Sequence, residues 1–303
     1  MAQAGVIGFS DDGSPVKDSL IMLEALNYSR ISGLPIIDHC EDISLTSNGL
    51  MEERALSIES ELAAIPDTAE QIILSRDLLL ARLSGGWVHI AHVSSEGSVE
   101  LIRHAKEKGV SVTAEGTPHP LTLTEETANS GDTNAKVNPP LRARQDNEAL
   151  IKGLKENVID IIATDHAPHT EKDKSVAFSQ APCGISGLET ALGSLLGLVH
   201  REAIPLKSLI ASLASNPGRI IGNRYGKLGT LADGAPADIA ILDPDREWVV
   251  DTSSFISRGK NTPLKGKKLK GKVMATVYGG KVVYLDSTVI IKGTLISERG
   301  NKS

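Results

Sequence analysis

The sequence predicts an α/β fold in which a parallel sheet is followed by a smaller all-β portion. Three features carry that prediction. Short aliphatic runs alternate with stretches of helical periodicity over the first part of the chain, acidic and imidazole side chains recur where those runs stop, and beyond Lys227 the texture changes to short strands broken by Gly and Pro. With 303 residues, 40% hydrophobic and 23% charged, the chain is long enough to bury one large core and carry a small appendage.

Five runs read as buried strands in chain order: "GVIGF" at 5–9, "LPIID" at 34–38, "WVHIAHV" at 87–93, "VSVTAE" at 110–115 and "VIDIIATD" at 158–165. Between them, 18–32, 64–83, 96–108 and 146–156 place apolar residues at helical spacing, and Gly33, Gly85 and Gly109 stand where helices end. A β-α-β-α order favours a parallel sheet, either open and doubly wound or closed as a barrel. In both, reactive side chains gather at the carboxyl ends of the strands. Two further helices are expected at roughly 187–200 and 206–221. After Lys227, "KLGTLADGAPADIAILDPD" and "GKVMATVYGGKVVYLD" read as strands, which divides the chain into 1–226 and 227–303. The one charge-rich run, "KGKKLKGK" at 265–272, reads as a solvated turn.

Composition narrows the partners. A net charge of −6 and a pI near 5.8 give no basic footprint for nucleic acid or anionic lipid, and 3% aromatics supply few stacking platforms. Neither a signal-peptide pattern nor an apolar run of roughly 18 residues is present, so no membrane partner is expected. Cys40 and Cys183 lie far apart without a CxxC pairing, which suits a reducing, cytoplasmic setting. A small-molecule substrate is the expected partner.

Asp12 follows the first strand, His39 the second, His92 the third and Asp165 the fifth. Two imidazoles and two carboxylates at one face of a parallel sheet suit a divalent cation such as zinc, which takes nitrogen and oxygen donors and keeps a position open for water. Bland readings compete at each position. "SDDG" at 10–13 is also a turn sequence whose Asp side chains accept backbone N–H groups. His89 and His92 differ by an odd number, so within a strand they point to opposite faces and only one can face the cation. His92 is the choice because it stands at the carboxyl end, just before the helix-capping Ser94 and Ser95, and His89 is left as structural. His104 and His200 fall on helices as surface or packing residues, and His166 reads as a capping or supporting group.

Taken together and in order, "GFSDDGSPV" (8–16), "DHCED" (38–42), "HIAHVSS" (89–95), "TAEGTPH" (113–119), "VNPPLR" (137–142), "ATDHAPH" (163–169), "GISGLETALG" (184–193) and "NTPLKGKKLKGKV" (261–273) resemble the cyclic amidohydrolases, and more closely the long-class bacterial dihydroorotases. That resemblance implies a (β/α)8 TIM barrel with a small C-terminal β-sandwich portion. It also implies reversible, zinc-dependent cyclisation of N-carbamoyl-L-aspartate to L-dihydroorotate in pyrimidine biosynthesis, with two Zn2+ per complete site. By position, His39 and His92 would bind one metal, Asp12 would be the shared carboxylate, and Asp165 would bind metal or its water and shuttle the proton. Asn138 and His169 would hold the ring and its carboxylate, with backbone at Cys183 and Gly184 touching substrate. A homodimer or an aspartate transcarbamoylase partner is implied as well. The alternatives are a hydantoinase- or allantoinase-like enzyme, or a non-catalytic dihydroorotase-like subunit supporting aspartate transcarbamoylase.

Departures from the pattern matter as much. Members of that class begin their barrel with a His-x-His pair followed shortly by Arg, and no two histidines here stand two residues apart. Five strands are counted where a closed barrel of this kind has eight, and the first matches the class's fourth. The expectation is a chain lacking its amino-terminal third, holding at most one zinc and unable to assemble a binuclear site. Smaller departures are Pro120, where a second His is usual, and Cys183, where a bulky aromatic is common.

Overall fold

The computed structural model describes residues 1–46, 51–52, 64–128 and 130–289. All five expected strands form: β1 (Phe9–Ser10), β2 (Ile36–Asp38), β3 (Val88–Ile90), β4 (Val112–Gly116) and β5 (Ile161–Ile162) lie side by side in sequence order, every neighbouring pair parallel. The paired segments are shorter than the aliphatic runs. In 158–165 only two residues pair, because Val158 and Ile159 turn back to bond the carbonyl of Gly153 and Asp165 leaves the extended region at φ +47°.

Alternation along these strands sorts the side chains. Ile36, Val88, Ile90, Val112 and Ala114 point into a core shared with Leu26 of α1 (Ser19–Ser32), Leu74 and Leu78 of α2 (Thr68–Ser84), Ile102 of α3 (Glu96–Glu107) and Leu150 of α4 (Arg144–Lys155). His89, Thr113 and Glu115 are left on the opposite face. Helix ends follow the capping chemistry of the sequence. Asp18 accepts the N–H groups of Leu20 and Ile21 at 2.7 and 3.1 Å, and Ser95 accepts that of Ser98 at 3.3 Å. Helix α2 begins four residues later than expected, because Ala64 and Ile65 pair in parallel with Met51 and Glu52 and Pro66 follows.

After α5 (Ala191–His200), the expected second helix is interrupted. Leu206–Ile210 and Asn216–Ile221 are α-helical, but Ala211–Ser215 is a π-turn in which the N–H of Asn216 reaches the carbonyl of Ala211. Pro217 offers no N–H to continue the α ladder, and the slip precedes it.

The C-terminal portion is a three-stranded antiparallel sheet in the order β8 (Lys281–Leu285), β7 (Lys268–Tyr278), β6 (Ile239–Val249). It is backed by α5, where Gly193 lies against Gly271 and Trp248, and the Trp248 indole donates to the Gly271 carbonyl at 2.9 Å. A second sheet, as a sandwich would have, is not present among the described residues; 290–303 fall outside them. The "KGKKLKGK" run is a correction. Only Lys265 and Gly266 lie in the expected turn; from Lys268 the run enters β7, and Lys268, Lys270 and Lys272, alternating onto one face, meet Glu247, Asp245 and Asp286 at 2.6, 2.7 and 2.7 Å. Pro244 is tolerated in β6 because that strand is at the sheet edge and its register slips between Asp243 and Glu247. No helix among the described residues is long and apolar enough to cross a membrane.

Leu74 is completely buried between α2 and the sheet. Truncation to alanine is expected to lower the unfolding free energy by about 2–5 kcal/mol, read from a denaturant midpoint at constant slope. A shift of a few tenths would mean that this helix does not pack on the sheet as described.

Candidate metal centre

The two consecutive acids after β1 part company. Asp11 is the turn residue: its carboxylate accepts the N–H of Val16 and the N–H of His39, both at 2.9 Å, and so ties the end of β1 to the end of β2. Asp12 turns the other way, with Oδ1 3.7 Å from Nδ1 of His39. That same Nδ1 lies 2.8 Å from Nε2 of His92, the rings edge to face with centroids 4.6 Å apart. Donor atoms of Asp12, His39 and His92 all fall within 4.8 Å of one another, and both imidazoles are buried.

His92 reaches this point by breaking the strand. β3 stops at Ile90, and His92 takes φ +34°, so the odd spacing from His89 no longer sends the two rings to opposite faces. The parity argument is therefore corrected. His89 is set apart instead by its partners, Thr113 Oγ1 at 2.8 Å and Glu115 Oε2 at 3.2 Å, which take up both ring nitrogens.

Asp165 stands beside the cluster rather than in it. Its carboxylate is 3.7 Å from Nε2 of His119 and close enough to Asp12 to feel its charge. Burial, followed by the Asp12 and Glu115 carboxylates, pushes its carboxyl up to about 6. His119 is kept neutral, pushed down to about 3 by burial and then by His92. This histidine is absent from the candidates read off the sequence. The available signal was position: it follows the end of β4, the one strand of five whose end had no candidate donor.

Glu41 is the second residue the sequence reading missed. Its Oε2 lies 2.8 Å from Nε2 of His39 and accepts the Asn138 side-chain N–H at 3.1 Å, and its Oε1 accepts the Thr46 hydroxyl. The His39 hydrogen bond holds its carboxyl down to about 2. Burial disfavours an imidazolium at His39, but Glu41 outweighs it and raises that pKa. A carboxylate on Nε2 fixes the tautomer that leaves Nδ1 free to face His92 and Asp12.

Of the substrate candidates, Asn138 is thus joined to the His39 loop, whereas His169, Cys183 and Gly184 form a separate unit around Asn261. His169 Nε2 is 2.7 Å from the Cys183 carbonyl, and its backbone N–H donates to Asn261 Oδ1 at 2.8 Å. The Asn261 amide donates to the Gly184 carbonyl at 2.9 Å. Gly184 adopts φ +135°, and a Cβ there would meet that of Ala167 at 2.5 Å, so only glycine fits. His166 Nδ1 accepts the N–H of Gly187 at 3.2 Å, the supporting role expected of it.

Two imidazole nitrogens and a carboxylate oxygen, in a neighbourhood that also holds Glu41, Glu115 and Asp165, have the donor chemistry and the surplus of negative charge that a divalent cation neutralises. A second group, Asp38, Cys40 and Asp77, lies on the helix side of the sheet. Its donors are already engaged: Arg76 forks onto Asp77 at 2.7 and 3.1 Å and the Cys40 thiol donates to Asp38 at 2.7 Å. Burial, then Asp77, pushes Asp38 up to about 9, so it carries a proton there.

Imidazole and carboxylate side chains gathered at the carboxyl ends of parallel βα strands stand where α/β barrel enzymes carry their active sites. The chain belongs to the amidohydrolase family, which residues 1–283 match. It is 50% identical over 284 residues to a dihydroorotase of Syntrophus aciditrophicus, covering 94% of this chain and 66% of that protein. It is 48% identical to a dihydroorotase of Caldanaerobacter subterraneus, covering 94% of this chain and 65% of that protein. The chain therefore spans just under two thirds of the length of these relatives. In fold it is similar to an L-hydantoinase from Arthrobacter aurescens, with TM-score 0.85 and 28% identity over 95% of this chain and 67% of that one. The five parallel strands are accordingly strands of a (β/α)8 barrel fold, the fold expected from the sequence.

If Glu41 fixes the His39 tautomer, Glu41→Gln is expected to weaken zinc binding by about 10–100-fold, measured by competition with a chromophoric chelator. An unchanged affinity would reduce Glu41 to a packing group.

Proposed function

We propose that this chain carries the dihydroorotase chemistry of its relatives, the reversible cyclisation of N-carbamoyl-L-aspartate to L-dihydroorotate in pyrimidine biosynthesis, with zinc held by Asp12, His39 and His92. The single observation that supports it most is the convergence of those three donors within 4.8 Å at the strand ends of an amidohydrolase chain. The choice of substrate rests on the dihydroorotases at 44–50% identity. The hydantoinase likeness, at 28% and lower, favours the fold more than that substrate.

When bound, the metal supplies Lewis acidity, which makes water a stronger nucleophile and polarises an amide carbonyl. The remaining work falls to the chain. Asp165, beside the cluster and next to His119, takes a proton from the attacking water and passes it to the departing ring nitrogen. Neutral His119 stands 3.7 Å from the Asp165 carboxylate without adding charge, its Nε2 paired with Thr117 Oγ1 at 3.1 Å. Asn138, joined to Glu41, and His169, fixed by Asn261 and the Cys183 carbonyl, orient the substrate's ring and carboxylate, with backbone at Cys183 and Gly184 completing the contact. Free thiols at Cys40 and Cys183 fit a reducing, cytoplasmic setting.

Zinc analysis of the dialysed chain is expected to return bound zinc, and His39→Ala and His92→Ala to lose it. Equal zinc in all three overturns the ligand assignment. Substrate choice is tested by binding and turnover with L-dihydroorotate, N-carbamoyl-L-aspartate, hydantoin and allantoin, and a response to the last two alone rejects the dihydroorotase reading. Asp165→Asn is expected to abolish turnover by at least about 10²-fold while binding substrate.

A further inference from the structure

Two buried ionic side chains, Glu70 and Arg142, take no part in the chemistry above yet fasten the loops that carry it. Glu70, on α2, is 4% exposed. Its carboxylate accepts the N–H of Ser94 at 3.1 and 3.2 Å and the N–H of Ser95 at 3.3 Å, and the hydroxyls of both serines donate to it as well. One carboxylate thus gathers four donors from two consecutive residues, two and three positions after His92. Arg142, 3% exposed, closes "VNPPLR". It donates from Nε to Ser94 Oγ at 3.2 Å and from Nη1 to the Ile65 carbonyl at 2.7 Å. Four residues earlier in the same loop, Asn138 donates to Glu41, two residues after His39. The 138–142 loop is therefore fastened at one end to the His39 loop and at the other to the His92 loop.

His92 needs such a fastening. A non-glycine residue at φ +34° is strained and persists only where its surroundings over-determine it. Immediately after it, the Val93 N–H is taken by the Glu115 carbonyl at 2.9 Å, and the next two N–H groups are taken by Glu70. Left without that carboxylate, the turn has no other acceptor for them among the described partners, and an extended backbone at His92 swings Nε2 away from His39 and Asp12.

We propose that Glu70, coupled to Arg142 through the Ser94 hydroxyl, is a positioning residue of the metal centre: it sets the His92 turn and holds the Asn138 loop in register with it. The proposal rests on the zinc reading above, and the experiment separates the two. Zinc affinity is measured by chelator competition on the full 303-residue chain, at a temperature where circular dichroism finds each variant folded. Glu70→Gln is expected to weaken zinc about 10–100-fold. Arg142→Lys, which keeps the charge and loses the fork, is expected to weaken it several-fold, and the double variant to be no worse than the weaker single, as members of one network behave. Ser94→Ala, a milder change that keeps the backbone donors, serves where Glu70→Gln does not fold and is expected to cost several-fold. Leu198→Ala, a buried truncation in α5 outside this network, is the control that lowers stability and leaves zinc affinity unchanged. Parental affinity in Glu70→Gln, or in Ser94→Ala where that variant has to decide, overturns the proposal. A parent chain that binds no zinc, or binds it as well after His39→Ala, overturns the zinc reading instead.

Discussion

Everything at the candidate centre depends on two imidazole nitrogens meeting at 2.8 Å in a buried place. Such a contact is not formed by burial alone, which favours neutral rings packed without polar atoms facing each other. It follows from register. Parallel pairing sets Asp38 against Ile90, so the chain leaves β2 and β3 at the same height, and His39 and His92 emerge as neighbours one and two residues later. Asp11, bridging from the end of β1 to the His39 N–H, brings Asp12 to the same level. The helices contribute by packing on the other face, which leaves the strand ends free to carry polar groups.

Consecutive residues show how strongly the face decides the chemistry. Asp38 points to the helices, where Asp77, Arg76 and the Cys40 thiol surround it and its carboxyl holds a proton. His39 points to the open end, where Glu41 takes its Nε2 and its Nδ1 faces Asp12 and His92. Both clusters contain the donor types a metal uses. Only the second has donors that converge without being taken by an arginine fork or a thiol proton, and that difference of partners separates a structural acid pair from a candidate metal centre.

Much of this was legible in the sequence because each signal was local. Aliphatic runs fixed the order of the strands, capping residues such as Asp18 and Ser95 fixed helix starts, and the position of His39 after a strand marked it as a donor. What stayed hidden was tertiary. Strand length depended on where partners stopped pairing, so the first run contributed only Phe9 to the pairing and the fifth only Ile161 and Ile162. His92 defeated the parity rule because its backbone left the strand, which no side-chain pattern encodes. Glu41 and His119 became recognisable only when His39 and Asp165 stood beside them. The lysine run looked like a solvated turn until the acids of β6 and Asp286 were placed opposite it.

His92 and Asp165 share a property that links stability to function: each sits just past a strand end with positive φ, at +34° and +47°. Such backbones disfavour folding by on the order of 1–3 kcal/mol apiece, a sizeable fraction of the net stability of an ordinary domain. The chain sustains them because the strands before them are anchored by side chains with no exposure, among them Ile90 and, behind the sheet, Leu26, Leu74 and Ile102. A conventional extended residue at either position would relieve the backbone and send the side chain along the strand direction, away from the other donors. The strain is therefore part of the site: the dense core on the helix face holds the sheet rigid enough for its ends to bend toward a common point.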